Sequence, residues 1–114
     1  MGRITIHLAV IRGICYLERD FFSSLQKEVQ RKLLGRLKDY ATYTYEELMR
    51  DQKLKKLKGH DRVWEIRVQV QGDAFRLFGR FLGSELHLVD ARIKKGNLSA
   101  HDLGVIEKKI HNLL

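Results

Sequence analysis

Residues 63–94 alternate between apolar and polar side chains, and two glycine-containing dipeptides interrupt the alternation. Few folds accommodate such a pattern. From Val63 to Gln71, the residues Trp64, Ile66, Val68 and Val70 point one way and Glu65, Arg67, Gln69 and Gln71 the other, the period of a strand with one buried face. Gly72-Asp73 predicts a two-residue type II′ turn, and Gly83-Ser84 a second of the same kind. The strands are then 63–71, 74–82 and 85–94, a three-stranded antiparallel meander. Counting from the turns pairs Gln69 with Arg76, Arg67 with Phe78 and Glu65 with Arg80 in the first hairpin, and Arg80 with His87 and Phe78 with Val89 in the second. One face gathers Trp64, Ile66, Val68, Val70, Phe75, Leu77, Phe81, Leu86 and Leu88. The other gathers Glu65, Arg67, Gln69, Arg76, Phe78, Arg80 and His87, and is expected to be exposed.

The apolar face needs a cover. Leu17, Phe21, Phe22, Leu25, Val29, Leu33, Leu37 and Tyr40 recur at spacings of three and four, which predicts one amphipathic helix or two in succession. Ser23 or Ser24 is the expected cap of the second piece. Ahead of it, 3–10 alternates as a strand. Thr42–Arg50 reads either as loop or as a helical turn over Tyr45–Arg50. A cationic stretch, Lys53-Leu-Lys-Lys-Leu-Lys58, follows and ends at Gly59. Ser99 caps a last helix running to Leu113, with Asp102 near the positive end of its dipole. Most glycines fall at turns or element ends; Gly35, Gly79 and Gly104 fall inside predicted elements. The expected class is α+β: an N-terminal strand, a long helix or helix pair, the meander and a C-terminal helix, in one domain over 1–114.

Composition narrows the function. Lys and Arg number 22 against 14 Asp and Glu, a formal charge of +8, which favours polyanionic partners such as RNA or DNA, an anionic surface or an acidic protein. No apolar run reaches the roughly 18 residues of a membrane span, and Arg3, His7 and Arg12 break the N-terminal apolar stretch. The one cysteine, Cys15, cannot form an internal disulfide, fits a reducing cytoplasm and reads as a core residue. Neither paired cysteines nor an HExxH helix offers a zinc ligand set, and no phosphate-binding glycine loop occurs, so no cofactor is expected.

The polar face carries the chemistry. Arg67, Arg76 and Arg80 lie on it, with Lys55, Lys56 and Lys58 before it in sequence and Arg92, Lys94 and Lys95 after it. Arginine offers a planar fork of donors matched to phosphate, and lysine a point charge. Phe78 is placed to stack on a base. Arginines there would also stabilise charge developing on phosphorus when a 2′-hydroxyl attacks. Glu65 opposite Arg80 reads as an ordinary cross-strand ion pair. His87 beside Arg80 is a candidate base; His60 and His101 are lesser ones.

The succession Leu57-Lys58-Gly59, Val63-Trp64-Glu65-Ile66-Arg67-Val68, Phe75-Arg76-Leu77-Phe78 and Ala91-Arg92-Ile93-Lys94-Lys95 resembles the RelE/ParE toxin superfamily, most of all its phage-derived HigB-like branch. The resemblance covers 15–112 and is sharpest over 54–95. It implies the toxin of a type II toxin–antitoxin system, a cytoplasmic, metal-independent endonuclease that cleaves mRNA on the ribosome and is silenced by a cognate antitoxin. By motif, Arg67, Arg76 and Lys94 take the catalytic basic positions, and Lys55, Lys56, Lys58, Phe78, Arg80, Arg92 and Lys95 the RNA-binding ones. Glu65 stands where RelE itself has lysine, and the C-terminal tyrosine of RelE has no counterpart. A second reading is therefore a non-catalytic binding module of the same fold, either a ParE-like inhibitor of a protein target or a degenerate toxin that only binds its antitoxin.

Overall fold

The first glycine turn forms one residue earlier than the alternation predicts. In the computed structural model, which describes residues 2–60, 62–93 and 96–113, Val70 pairs with Asp73 across Gln71 and Gly72. Both turn residues have positive φ, 51° and 85°, the signature of a type I′ turn rather than II′. The whole hairpin is displaced by two residues. Arg67 faces Arg76, Gln69 faces Ala74 and Glu65 faces Phe78, in place of the expected partners. A shift of two preserves the faces, so the division into core and polar sides survives the error.

Five strands form one mixed sheet in the order β1-β5-β4-β3-β2: β1 (Thr5–Leu8), β2 (Leu54–Lys56), β3 (Trp64–Val70), β4 (Asp73–Leu82) and β5 (Glu85–Arg92). β1 runs parallel to β5, and every other pairing is antiparallel. The strand β2 was not foreseen. It is cut from the middle of the cationic stretch, where Leu54 sits opposite Ile66 in the core and Lys55 opposite Glu65.

The helical region is broken rather than continuous. A π turn over Leu17–Phe21 passes into a 3-10 turn over Phe22–Ser24, and Leu25 then adopts extended backbone. Helix α1 (Lys27–Tyr40) starts after Gln26 with no side-chain cap. The two serines expected to cap it donate backwards instead, Ser23 to the Arg19 carbonyl and Ser24 to that of Phe21. Helix α2 (Tyr45–Arg50) has a full capping box between Thr44 and Glu47, which satisfies two otherwise open N–H groups. Helix α3 (Ala100–His111) is capped by Ser99, whose hydroxyl accepts from the Asp102 amide. Among the described residues no helix is long and apolar enough to cross a membrane.

Two cores lie on opposite sides of the sheet. Leu33, Leu37 and Tyr40 of α1 pack with Ile66, Val68, Phe75, Leu77, Leu86 and Leu88 on one side. On the other, which the sequence pattern left open to solvent, α3 lays Ile106 and Ile110 on Phe78, Val89, Val63 and Ala9. Phe78 is wholly buried there and offers no ring for a base to stack on.

A bulge decides what else reaches the second side. The β4–β5 register slips between Phe78 and Gly79, so that Gly79 faces Leu88 while Phe78 faces Asp90. The expected Phe78–Val89 pair is absent, and Val89 becomes the extra residue. Beyond it, Asp90 and Arg92 stand on the side of Phe78 and Arg76 while Ala91 enters the α1 core. Gly79 permits this approach. A Cβ on it would lie 2.1 Å from the His87 carbonyl oxygen and 2.9 Å from the Leu88 Cα, both backbone atoms that cannot step aside. Gly79→Ala is therefore expected to destabilise the fold by about 3 kcal/mol, the upper part of the range for overpacking, measured as the fall in urea midpoint.

Candidate nucleic-acid interface

Two arginines facing each other across a strand pair repel unless something neutralises them. Arg67 and Arg76 face each other on β3 and β4, and Glu65, two residues before Arg67, lies between them with its side chain fully buried. Arg76 Nε donates to Glu65 Oε2 at 2.8 Å and Nη2 to Oε1 at 3.1 Å, a bidentate fork. Arg67 Nε donates to the same Oε2 at 2.7 Å. Burial opposes ionisation of Glu65, but the hydrogen bonds and charges of Arg76 and Arg67 outweigh it and hold the carboxyl below the usual carboxylate range.

The two arginines are not equivalent. Arg76 is buried, gives Nη1 to the Gly96 carbonyl at 2.8 Å and lies over the Phe78 ring. The mid-strand, solvent-facing arginine inferred from the alternation is in fact a structural clamp. Arg67 keeps half of its side chain exposed and commits only Nε to Glu65, which leaves the rest of its fork for a ligand.

That fork borders a cleft of about 500 Å³ lined by Lys55, Leu57, Lys58, His60, Arg67, Arg76, Gly96, Asn97, Leu98 and Leu103. β2 delivers Lys55 because the residue opposite Glu65 shares its face. The loop after β2 delivers Lys58 and His60, and the segment before α3 closes the far wall. Lys55 and Lys58 are exposed. His60 hydrogen-bonds through Nδ1 to Glu107 of α3, so that a carboxylate orients its ring and Nε2 is the nitrogen left over.

The remaining expectations fall elsewhere. Lys56 points to the other side of β2, opposite Trp64. Arg80 does not reach Glu65; it stands opposite His87, roughly 13 Å along β4 from Arg76 at the rise of a strand. His87 stacks on His7 and bonds Glu85 instead of lying near the cleft. Arg92 is drawn to Asp90 at 2.6 Å and Asp102 at 3.5 Å. Burial works against its charge, but these carboxylates prevail and raise its pKa further. Lys109 joins Asp90 from α3 at 3.1 Å, so this second buried carboxylate ties β5 to α3. Lys94 and Lys95 lie outside the described residues. Among the described residues no group of histidines, cysteines and carboxylates is arranged to hold a metal ion. His60 and Asn97 are the cleft residues that sequence reasoning undervalued. Nothing but the position of His60 just beyond the Lys58-Gly59 pair pointed to it.

A family model described as phage derived protein Gp49-like (DUF891) matches residues 20–109. No curated protein and no solved structure matches the chain.

Glu65→Gln keeps the shape of the side chain but leaves two guanidinium groups short of a counter-charge, one of them buried. A loss of about 3 kcal/mol is expected at pH 7, the scale of breaking a buried pair from one side. The pH dependence has a defined sign. Because the folded-state pKa of Glu65 is depressed, its contribution is complete above the unfolded value of about 4.3 and disappears as pH falls through the lower folded value. The gap between wild type and Glu65→Gln in urea unfolding should therefore narrow progressively as the pH falls below the unfolded value.

Proposed function

The chain belongs to the Gp49-like family of phage-derived, RelE-like toxins, and from that premise we propose that it is the toxin of a type II toxin–antitoxin pair, an endonuclease that cleaves mRNA on the ribosome. The observation that carries this reading is the half-free guanidinium of Arg67 in a cationic cleft with Lys55, Lys58 and His60. Such a cleft suits a phosphodiester backbone: the lysines supply sequence-independent attraction and Arg67 a planar donor pair for one phosphate.

Metal-independent cleavage needs few groups. The 2′-hydroxyl attacks the adjacent phosphorus, the bond from phosphorus to the 5′-oxygen breaks, and a 2′,3′-cyclic phosphate and a 5′-hydroxyl result. His60 Nε2 accepts the 2′ proton, as histidine can near neutrality, and an ammonium group of the cleft protonates the departing oxygen. Arg67 stabilises the charge gathering on the phosphoryl oxygens. Arg76 acts through Glu65 as a positioning residue that fixes Arg67, instead of meeting the phosphate on its own. Lys94 and Lys95 are, by family resemblance, further basic residues acting on the message. A cytoplasmic antitoxin would silence the chain by neutralising this surface.

The burial of Arg76 in a clamp also favours the second reading, a binding module in which the arginines are structural. Arg67→Ala separates the two. Arg67 is half exposed, so its removal is expected to cost about 0.5–1 kcal/mol of stability, as for an exposed ion pair. As an endonuclease the variant should cleave ribosome-bound message roughly 10²–10³-fold more slowly, the scale of losing one charge-stabilising donor. Arg80→Ala is the control and should cleave normally. The measurements are mapping of message 5′ ends after induced expression and single-turnover rates on programmed ribosomes. Wild type that yields no new 5′ ends while remaining toxic or antitoxin-bound would establish the binding module.

A further inference from the structure

Gly35 sits in the middle of α1, where glycine is among the poorest helix formers, and packing does not require it. A Cβ built there meets nothing within 4 Å. The glycine is exposed and lines a groove of about 440 Å³ between α1 and the β3–β4 turn, together with Arg31, Lys32, Arg36, Asp39, Val70 and Gln71. At helical spacing, Arg31 and Asp39 flank Gly35 one turn away on its own row, and Lys32 and Arg36 lie on the neighbouring row. Three cations thus ring a bare stretch of helix backbone. Arg31 and Lys32 share Glu28 at 3.8 and 3.6 Å, loose and solvent-exposed contacts that contribute little. Arg36 makes no ion pair among the described residues.

We infer that this groove is a second phosphate-backbone site, one that takes structured RNA, with Gly35 keeping the helix surface clear for a close approach. The inference rests on the RNA-binding reading of the cleft and enlarges its footprint. The groove and the cleft lie on opposite sides of the sheet, because α1 packs on the Ile66 side and Lys55 and Arg67 point to the other. No short single strand occupies both, whereas a folded RNA surface that receives the molecule can. An acidic protein segment is the weaker occupant. Protein contacts need apolar anchors at their centre, and the one aliphatic side chain lining the groove, Val70, is itself buried.

The test uses the full chain as wild type, as the groove variant Arg31→Glu/Lys32→Glu/Arg36→Glu, as the cleft variant Lys55→Glu/Lys58→Glu, and as Gly35→Gln, each checked by circular dichroism. The probes are an RNA duplex of about 20 base pairs, enough for two successive minor grooves, and a single strand of about six nucleotides. The groove variant should bind the duplex about 10–100-fold more weakly between about 50 and 200 mM salt. The slope of log affinity against log salt should fall by about 2–3, as expected for three lost phosphate contacts. Its affinity for the short strand should not change. Gly35→Gln adds no charge; it should raise the melting temperature and still weaken duplex binding several-fold. Wild-type duplex affinity and salt slope in the groove variant would overturn the inference. So would polyglutamate that binds wild type as tightly as the duplex and is lost equally in the groove variant. A cleft variant that keeps its affinity for the short strand would sink the RNA reading of the cleft instead, while the duplex arm still decides the groove.

Discussion

One buried carboxylate makes the polar side of this sheet possible. The type I′ turn at Gln71-Gly72 brings Arg67 and Arg76 face to face, and two guanidinium groups in that position would push the hairpin apart. Glu65 accepts from both and lies out of contact with water. Removing Glu65 leaves two guanidinium groups without a counter-charge, and removing Arg76 leaves the buried carboxylate to a single bond from half-exposed Arg67. The unit also reaches outward: Arg76 holds the Gly96 carbonyl and so fixes the segment leading to α3. From the opposite side of the sheet, the Tyr40 hydroxyl donates to the Arg67 carbonyl. Helix α1, the central hairpin and the approach to α3 thus converge on one site.

The alternation was enough to sort side chains by face as far as Val89, because an error of two residues in register leaves parity unchanged. That is why Arg67, Arg76 and Glu65 could be placed together from sequence while their partners could not. The ion pair assigned to Glu65 and Arg80 fails because Gln71 accepts positive φ, and the turn closes one residue early. The bulge at Gly79 was out of reach for a different reason. A bulge depends on backbone from two strands meeting at close range, and Gly79 betrays it only once the His87 carbonyl is known to lie where a Cβ would be. Its consequence is large, since it turns Asp90 and Arg92 to the α3 side.

The second covered side of the sheet is the part of the fold least legible in the alternation. Phe78 and Val89 were apolar residues on a nominally polar face, and Ile106 and Ile110 formed an apolar stripe on a helix with nothing assigned to cover. Taken together they specify a second layer. Charged neighbours hid it: a face with three arginines resembles a solvated one unless the carboxylate shared by Arg67 and Arg76 is counted. The helix ends, by contrast, follow from local chemistry. Ser99 and Thr44 cap their helices by reaching three residues forward, whereas Ser23 and Ser24 sit at the end of a turn and bond backwards.

Counting which cations are already engaged gives the surplus charge a direction. Arg76 is committed to Glu65 and Gly96, and Arg92 and Lys109 to Asp90. These hold the fold together and attract little from solution. Lys55, Lys58, most of Arg67, and the Arg31, Lys32 and Arg36 group remain exposed. Those of the cleft come from β2, the loop after it and β3, and those of the groove from α1, so exposed charge lies on both sides of the sheet. Asp90 and Glu65, the buried carboxylates among the described residues, therefore do more than stabilise strands. By engaging some arginines and leaving others, they determine which cations of the molecule stay exposed to solvent.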